Sequence, residues 1–259
     1  MIRIISGNWK MNGSIADIDT WFKDFFAKAI EFEKTNTKTI SDVLVCLPAI
    51  YIPYAMRLAE EYNKKTTQFK VFVGAEDCHY ENKGAFTGNM SPVMLKEFGV
   101  KYTLVGHSER RQFEQETDEV VLKKAINAVN NGIIPVVCVG ESLEIRENKT
   151  HLEFIKEQVI ASTKGLDMEK IIIAYEPVWA IGTGKVPTLE EIEEINSYIK
   201  TVLSKENGVN EDKINVLYGG SVKSSNTKEI TGINSVNGVL VGGASLKGEE
   251  FFNIVVNSL

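Results

Sequence analysis

Eight short apolar runs, rich in Val and Ile, alternate along the chain with stretches of helical periodicity. That alternation restricts the fold more than any single motif. The runs cover residues 2–5, 43–47, 71–73, 102–105, 133–139, 171–174, 214–217 and 239–241. Each has the length of a strand and is apolar enough to be buried on both faces, as strands of parallel sheets are. Between them, Ile18, Trp21, Phe22, Phe25 and Phe26 fall on one helical face. So do Leu122, Ala125, Ile126 and Val129, and likewise Ile192, Ile195, Ile199 and Val202. Ser91–Pro92 reads as an N-cap with proline at the first helical position. Thr188, three residues before Glu191, reads as a capping box. An unbroken strand–helix alternation predicts a parallel sheet covered by helices, and eight strands are the number that closes such a sheet. An open, doubly wound sheet is the alternative. It normally carries a glycine-rich fingerprint after the first strand, where this chain has Gly7-Asn8-Trp9-Lys10. No linker or low-complexity segment interrupts the series. Residues 1–259 therefore read as one α/β domain, a (β/α)8 barrel with a parallel eight-stranded barrel and outer helices.

The formal charge of −6, with no block of consecutive basic residues, argues against nucleic acid as a partner. It leaves room for a phosphorylated substrate, because one pocket of an acidic protein can be locally positive. Cys46, Cys78 and Cys138 form no CxxC pair and are odd in number, which argues against a disulfide framework or a zinc site. Cys46 and Cys138 sit inside apolar runs and read as small core residues. No stretch approaches the roughly 20 apolar residues of a membrane span. The segment MIRIISGNWK carries neither a long apolar region nor a cleavage signal, so the expectation is a cytoplasmic protein with no membrane partner.

Barrels of this class place their chemistry at the carboxyl ends of the strands. The run at 171–174 leads to a lone carboxylate, Glu176, and then to about a dozen residues of loop before the helix. That exceeds the usual two to six of a strand–helix connection. Pro177 and Pro187 stiffen its ends, Gly182 and Gly184 loosen its middle, and Trp179 and Ile181 need apolar docking places. The segment reads as a lid hinged beside a carboxylate. Asn8 and Lys10 have the alternate spacing that points two side chains to one side of an extended chain. His107 stands at a helix start, and Glu109, two residues on, could pair with Lys10 if strand ends one and four meet in a barrel. His79 and His151 have no comparable setting. Gly219-Gly220 and Gly242-Gly243 end neighbouring strands seven and eight, where barrels bind phosphate through backbone N–H groups.

The segments NWKMN, GHSERR, CVGE, AYEPVWAIGTGK, YGGS and VGGAS, in this order and over essentially the whole chain, resemble the triosephosphate isomerase family. The resemblance implies a TIM barrel and an aldose–ketose isomerase with no metal or organic cofactor. Its substrates would be dihydroxyacetone phosphate and glyceraldehyde 3-phosphate. Glu176 matches the family's catalytic base. His107 matches its neutral, electrophilic histidine, and these isomerases are themselves the established example of a helix start keeping an imidazole uncharged. Lys10 and Asn8 match residues that contact substrate and stabilise developing charge. Gly182, Ser221, Gly242 and Gly243 match the phosphate site. Trp179 lies in the lid, Tyr218 is implied to hydrogen-bond the closed lid, and Ile181 with Leu240 to wall the base off from water.

The resemblance also implies a homodimer in which Thr87 touches the partner's site. The clearest departures lie in that same loop, with Glu76-Asp77 where the family has Gln-Asn and Asn89 where it has Glu. An arginine left unpaired by Asn89 predicts that Glu76 takes over, reaching the partner subunit's Arg110. The rival readings are an isomerase of a four-carbon ketose phosphate and a non-catalytic barrel that binds sugar phosphates.

Overall fold

The computed structural model describes residues 4–36, 42–181 and 186–258. Eight strands pair in sequence order and close: β1 (Ile4–Asn8), β2 (Asp42–Leu47), β3 (Val71–Ala75), β4 (Tyr102–Val105), β5 (Ile134–Val139), β6 (Ile172–Tyr175), β7 (Val216–Tyr218) and β8 (Gly238–Val241). All pairs are parallel, and β1 closes on β8 with Ile4 opposite Gly238. Around them lie α1 (Ile15–Glu33), α2 (Ile52–Tyr62), α3 (Pro92–Glu97), α4 (Ser108–Phe113), α5 (Asp118–Asn130), α6 (Leu143–Glu147), α7 (His151–Thr163), α8 (Leu189–Asn207), α9 (Thr227–Thr231) and α10 (Gly248–Asn257). The eightfold alternation is therefore a closed (β/α)8 barrel. The first strand runs on to Asn8, beyond the predicted 2–5, because Ser6, Gly7 and Asn8 find partners in Leu44, Val45 and Cys46. Register with a neighbour outweighs the low strand propensity of Gly and Asn there.

Two apolar layers hold the fold. Inside the barrel pack Ile4, Leu44, Cys46, Leu104, Val136, Cys138, Ile172, Ala174, Leu217 and Leu240. Outside it, strands and helices share a larger layer into which α1 sends Trp21, Phe22, Phe25 and Phe26. Trp21 stacks on Phe25 at 5.0 Å between centroids, and its indole N–H donates to the Ser245 carbonyl at 2.9 Å. Each fully buried Phe contributes about 1.5–3 kcal/mol. Helices α1 and α10 approach so closely that a Cβ on Gly248 would stand 2.3 Å from the Trp21 carbonyl oxygen. The cysteines at 46, 78 and 138 are free and buried.

The face of α5 departs from the apolar periodicity. Val121, Lys124, Ala125 and Ala128 are buried, whereas Ile126 is exposed. The ammonium of Lys124 is held by Asp77 and Glu116, so a paired lysine occupies the inner face and turns the helix away from the stripe drawn through Ile126. The capping box is present in full: Thr188 Oγ1 accepts from Glu191 N, and the Glu191 carboxylate accepts from Thr188 N at 2.8 Å. Thr188→Ala is expected to cost about 1 kcal/mol of unfolding free energy in a urea titration. Thr188→Asn should cost little, because it keeps an acceptor.

Candidate active site

At the carboxyl ends of the strands, a cavity of ≈ 270 Å³ is lined by Asn8, Lys10, His107, Glu176, Ile181, Ser221, Lys223, Leu240, Gly242 and Gly243, among others. Strand ends β1, β4, β6, β7 and β8 thus converge on one space. Gly182 lies outside the described residues, as do residues 183–185 of the predicted lid.

Glu176 is buried, and its backbone is held on both sides. Its N–H donates to Val139 O at 2.7 Å, and Gly219 N donates to Tyr175 O at 2.7 Å. Two glycines make room for it. A Cβ at 140 would fall 1.7 Å from the Glu176 carbonyl oxygen, and one at 219 would fall 2.8 Å from its Cγ. The carboxylate accepts from the Ser108 backbone N–H at 3.2 Å, and its other oxygen meets His107 Nε2 at 3.1 Å.

His107 caps the six-residue helix α4 with its own side chain, Nδ1 accepting from Glu109 N at 3.2 Å. An acceptor needs a lone pair, so the neutral ring carries its proton on Nε2, the atom that faces Glu176 and the cavity. Burial pulls the imidazole pKa down, while the facing Glu176 carboxylate, by charge and hydrogen bond, pulls it up. In this arrangement the balance lies above the ordinary histidine value. Removing the carboxylate from His107 removes the main upward cause and leaves burial.

Lys10 and Asn8 do meet in the cavity, though not by strand alternation. Lys10 stands at φ 55°, a left-handed conformation, with its N–H donating to Asn8 Oδ1 at 3.0 Å. The turn, and not the pleat, aims the lysine. Left-handed backbone at a non-glycine residue is costly and concentrates at functional sites. The Lys10 ammonium is ion-paired with Glu109, as predicted.

Ser221 donates its hydroxyl to the Ala180 carbonyl at 2.9 Å. Gly242 and Gly243 add little bulk beside Lys10: a Cβ on Gly242 would be 3.8 Å from the Lys10 Cε, and one on Gly243 would meet nothing within 4 Å. The Tyr218 hydroxyl is buried and has no hydrogen-bond partner among the described residues. Residues 182–185, the middle of the lid it was predicted to bond, lie outside them.

Two positions carry more than the sequence indicated. In the Cys138–Glu141 segment the first is Glu141, a structural support. Fully buried, it accepts from the Tyr175 hydroxyl and the Trp179 indole N–H, each at 3.0 Å, and Arg146 lies 3.7 Å away. It therefore anchors the chain on either side of Glu176. Ser108 contributes a backbone N–H, and no side-chain pattern could have announced that. His79 and His151 lie elsewhere: His79 stacks on Tyr80, and His151 stands 3.8 Å from Glu194.

Within the described chain Arg110 is not the unpaired guanidinium that Asn89 was expected to leave for the partner's Glu76. Arg110 Nε already meets Glu116 at 2.5 Å and Asp77 at 3.1 Å, so Asn89 leaves no guanidinium unpaired. Glu76 is instead turned inward, with Oε1 buried and unbonded among the described residues. Burial pushes its pKa up to about 8, against partial opposition from Lys10. Burial also lifts Asp77, to about 6, against the opposing charges of Lys124 and Arg110. Thr87 and Asn89 stand exposed in the loop after β3.

A family model described as triosephosphate isomerase matches residues 3–258. A triosephosphate isomerase of Psychromonas ingrahamii is 42% identical over 255 residues, covering 97% of each chain. One of Alkaliphilus oremlandii is 40% identical over 259 residues, covering 97% of this chain and 98% of the other. The crystal structure of a Bartonella henselae triosephosphate isomerase superposes with a TM-score of 0.84 at 35% identity, covering 99% of both chains.

Proposed function

The chain belongs to the triosephosphate isomerase family, and from that premise we propose that its cavity interconverts dihydroxyacetone phosphate and D-glyceraldehyde 3-phosphate in glycolysis and gluconeogenesis. Glu176 moves a proton between adjacent carbons through an enediol(ate). His107 donates from Nε2 to the substrate oxygens, and Lys10 and Asn8 stabilise the charge that develops there. To reach carbon, the Glu176 carboxylate exchanges its bonds to His107 and Ser108 for the substrate. That frees Nε2–H for the carbonyl and returns His107 to the pKa-lowering effect of burial. Ser221, Gly242 and Gly243, with Gly182 outside the described residues, form the phosphate end. Leu240 and Ile181 exclude water from the base, and Trp179 and Tyr218 belong to the lid. No metal or organic cofactor takes part, because the donors that polarise the carbonyl are protein groups.

The single observation that carries this reading is the contact of Glu176 with His107 Nε2, whose opposite nitrogen is fixed as an acceptor. One barrel, residues 1–259, constitutes the functional domain. It works as a homodimer, a reading supported by the large apolar side chains that the described chain leaves bare. Met11 is 97% exposed, Ile50 80% and Phe113 68%. Met11 and Phe113 line, together with Asp77 and Arg110, a groove that also takes in Lys10 and His107; in the dimer Thr87 would contact the partner's site. Among the described residues no helix is long and apolar enough to cross a membrane. A cytoplasmic location is part of the proposal and rests on the family. A coupled assay in the presence of a chelator is expected to give rapid turnover of the triose phosphates and far less of a four-carbon ketose phosphate. The reverse preference would assign the longer substrate, and binding without turnover would leave a sugar-phosphate-binding barrel.

A further inference from the structure

The cavity holds two side-chain ammonium groups, and their situations differ. Lys10 is neutralised by its ion pair with Glu109. Glu176 adds a negative charge to the wall. With those three groups alone, the cavity presents a net negative charge to a dianionic phosphate on a protein of charge −6. Lys223 cancels that excess. It lines the same cavity two residues after Ser221, and its ammonium forms no ion pair among the described residues.

Its mount is rigid. Asn226 accepts from Lys223 N at 2.8 Å through Oδ1 and donates to Ser221 O at 3.1 Å through Nδ2, so one amide clamps the three residues 221–223. The Lys223 carbonyl accepts three more bonds, from Asn226 N, Thr227 N and the Thr227 hydroxyl. The backbone that presents the lysine is therefore the backbone that presents the predicted phosphate residue. The flexible side chain stays exposed at the rim.

We infer that Lys223 is a substrate-recruiting residue, the uncompensated cation that draws the phosphate dianion to the cavity and helps hold it at the Ser221 end. The inference rests on the isomerase reading for its substrate and on the cavity's charge balance for its residue. An exposed cation acting on an approaching anion raises association more than it alters chemistry, and salt screens it over about 8–10 Å.

The test compares the full-length protein with Lys223→Gln, Lys223→Arg and, as a control for net charge, Lys205→Gln. Lys205 lies in the last turn of the 19-residue helix α8, roughly 24 Å of helix from its start. At low ionic strength Lys223→Gln is expected to lower kcat/KM roughly fivefold with kcat nearly unchanged, and to flatten the fall of kcat/KM with added salt. The curves should converge near molar salt. Lys223→Arg should follow the parent, and so should Lys205→Gln. Inorganic phosphate, titrated by calorimetry, should bind Lys223→Gln several-fold more weakly. Superimposable salt profiles and equal phosphate affinities would overturn the assignment, as would a Lys205→Gln profile as flat as that of Lys223→Gln. If the parent turns over no triose phosphate, the isomerase reading falls, and the phosphate titration still decides Lys223.

Discussion

Glu176→Asp is expected to leave the barrel folded and to lower kcat roughly a hundredfold or more, since a displacement of about 1 Å at the reacting atoms has effects of that order. Shortening the side chain by one methylene draws the carboxylate back, and the backbone has no slack with which to follow. Glu176 N is bonded to Val139 O at 2.7 Å, its carbonyl abuts Gly140, and Gly219 closes on its Cγ. The phosphate end of the cavity, formed by other strand ends, is untouched, so KM should change little and kcat and kcat/KM should fall together. Far-ultraviolet circular dichroism and the melting temperature should match the parent. A variant with near-normal turnover removes Glu176 as the base.

Glu76→Gln is expected to stabilise the protein, and to do so only where the parent glutamate is required to ionise. The folded pKa of Glu76 is about 8, well above the ordinary carboxylate value of about 4.3. Between those values the folded state holds a proton that the unfolded state has released, so stability falls as pH rises. The contribution is fully present below about pH 4, drains across that window, and is spent above pH 8. The cumulative loss is on the order of 5 kcal/mol. Glutamine carries no titrating proton and keeps the shape, so the two proteins should have similar urea midpoints at pH 4.5, with the variant ahead by a widening margin up to pH 8.5. Protein concentration must be held constant, because association adds to stability. A constant difference across pH, or a parent more stable at pH 8.5, refutes the buried-acid account. The sign is opposite to the one sequence reasoning suggests, and the reason is visible in Arg110. Its needs are met by Glu116 and Asp77, so Glu76 is not called on to neutralise it.

That reversal marks where the sequence stops being legible. Strand count, closure and the residues converging on the cavity follow from periodicity and from motifs at strand ends, because both are local patterns. The α5 face, the left-handed turn at Lys10 and the charge network at the base of the loop after β3 depend on residues far apart in the chain. Lys124 meets Asp77 across 47 positions. A lysine reads as polar until its carboxylate is seen, so the apolar stripe was drawn one residue away from the true inner face. Glu141 was legible as a motif letter but not as the acceptor shared by Tyr175 and Trp179, since nothing local says which way a buried carboxylate points.

The central claim is proton transfer by one carboxylate through an enediol(ate), and isomerisation in deuterium oxide tests it most directly. Dihydroxyacetone phosphate is converted by the parent protein and the product is trapped irreversibly as it forms, then read by proton and deuterium resonance. A proton carried on Glu176 can exchange with solvent before it is returned. The account therefore predicts glyceraldehyde 3-phosphate bearing deuterium at carbon 2, formed at a rate that collapses in Glu176→Asp. Product that retains only the original hydrogen, at full rate, would show a direct hydride shift between the carbons and contradict the account.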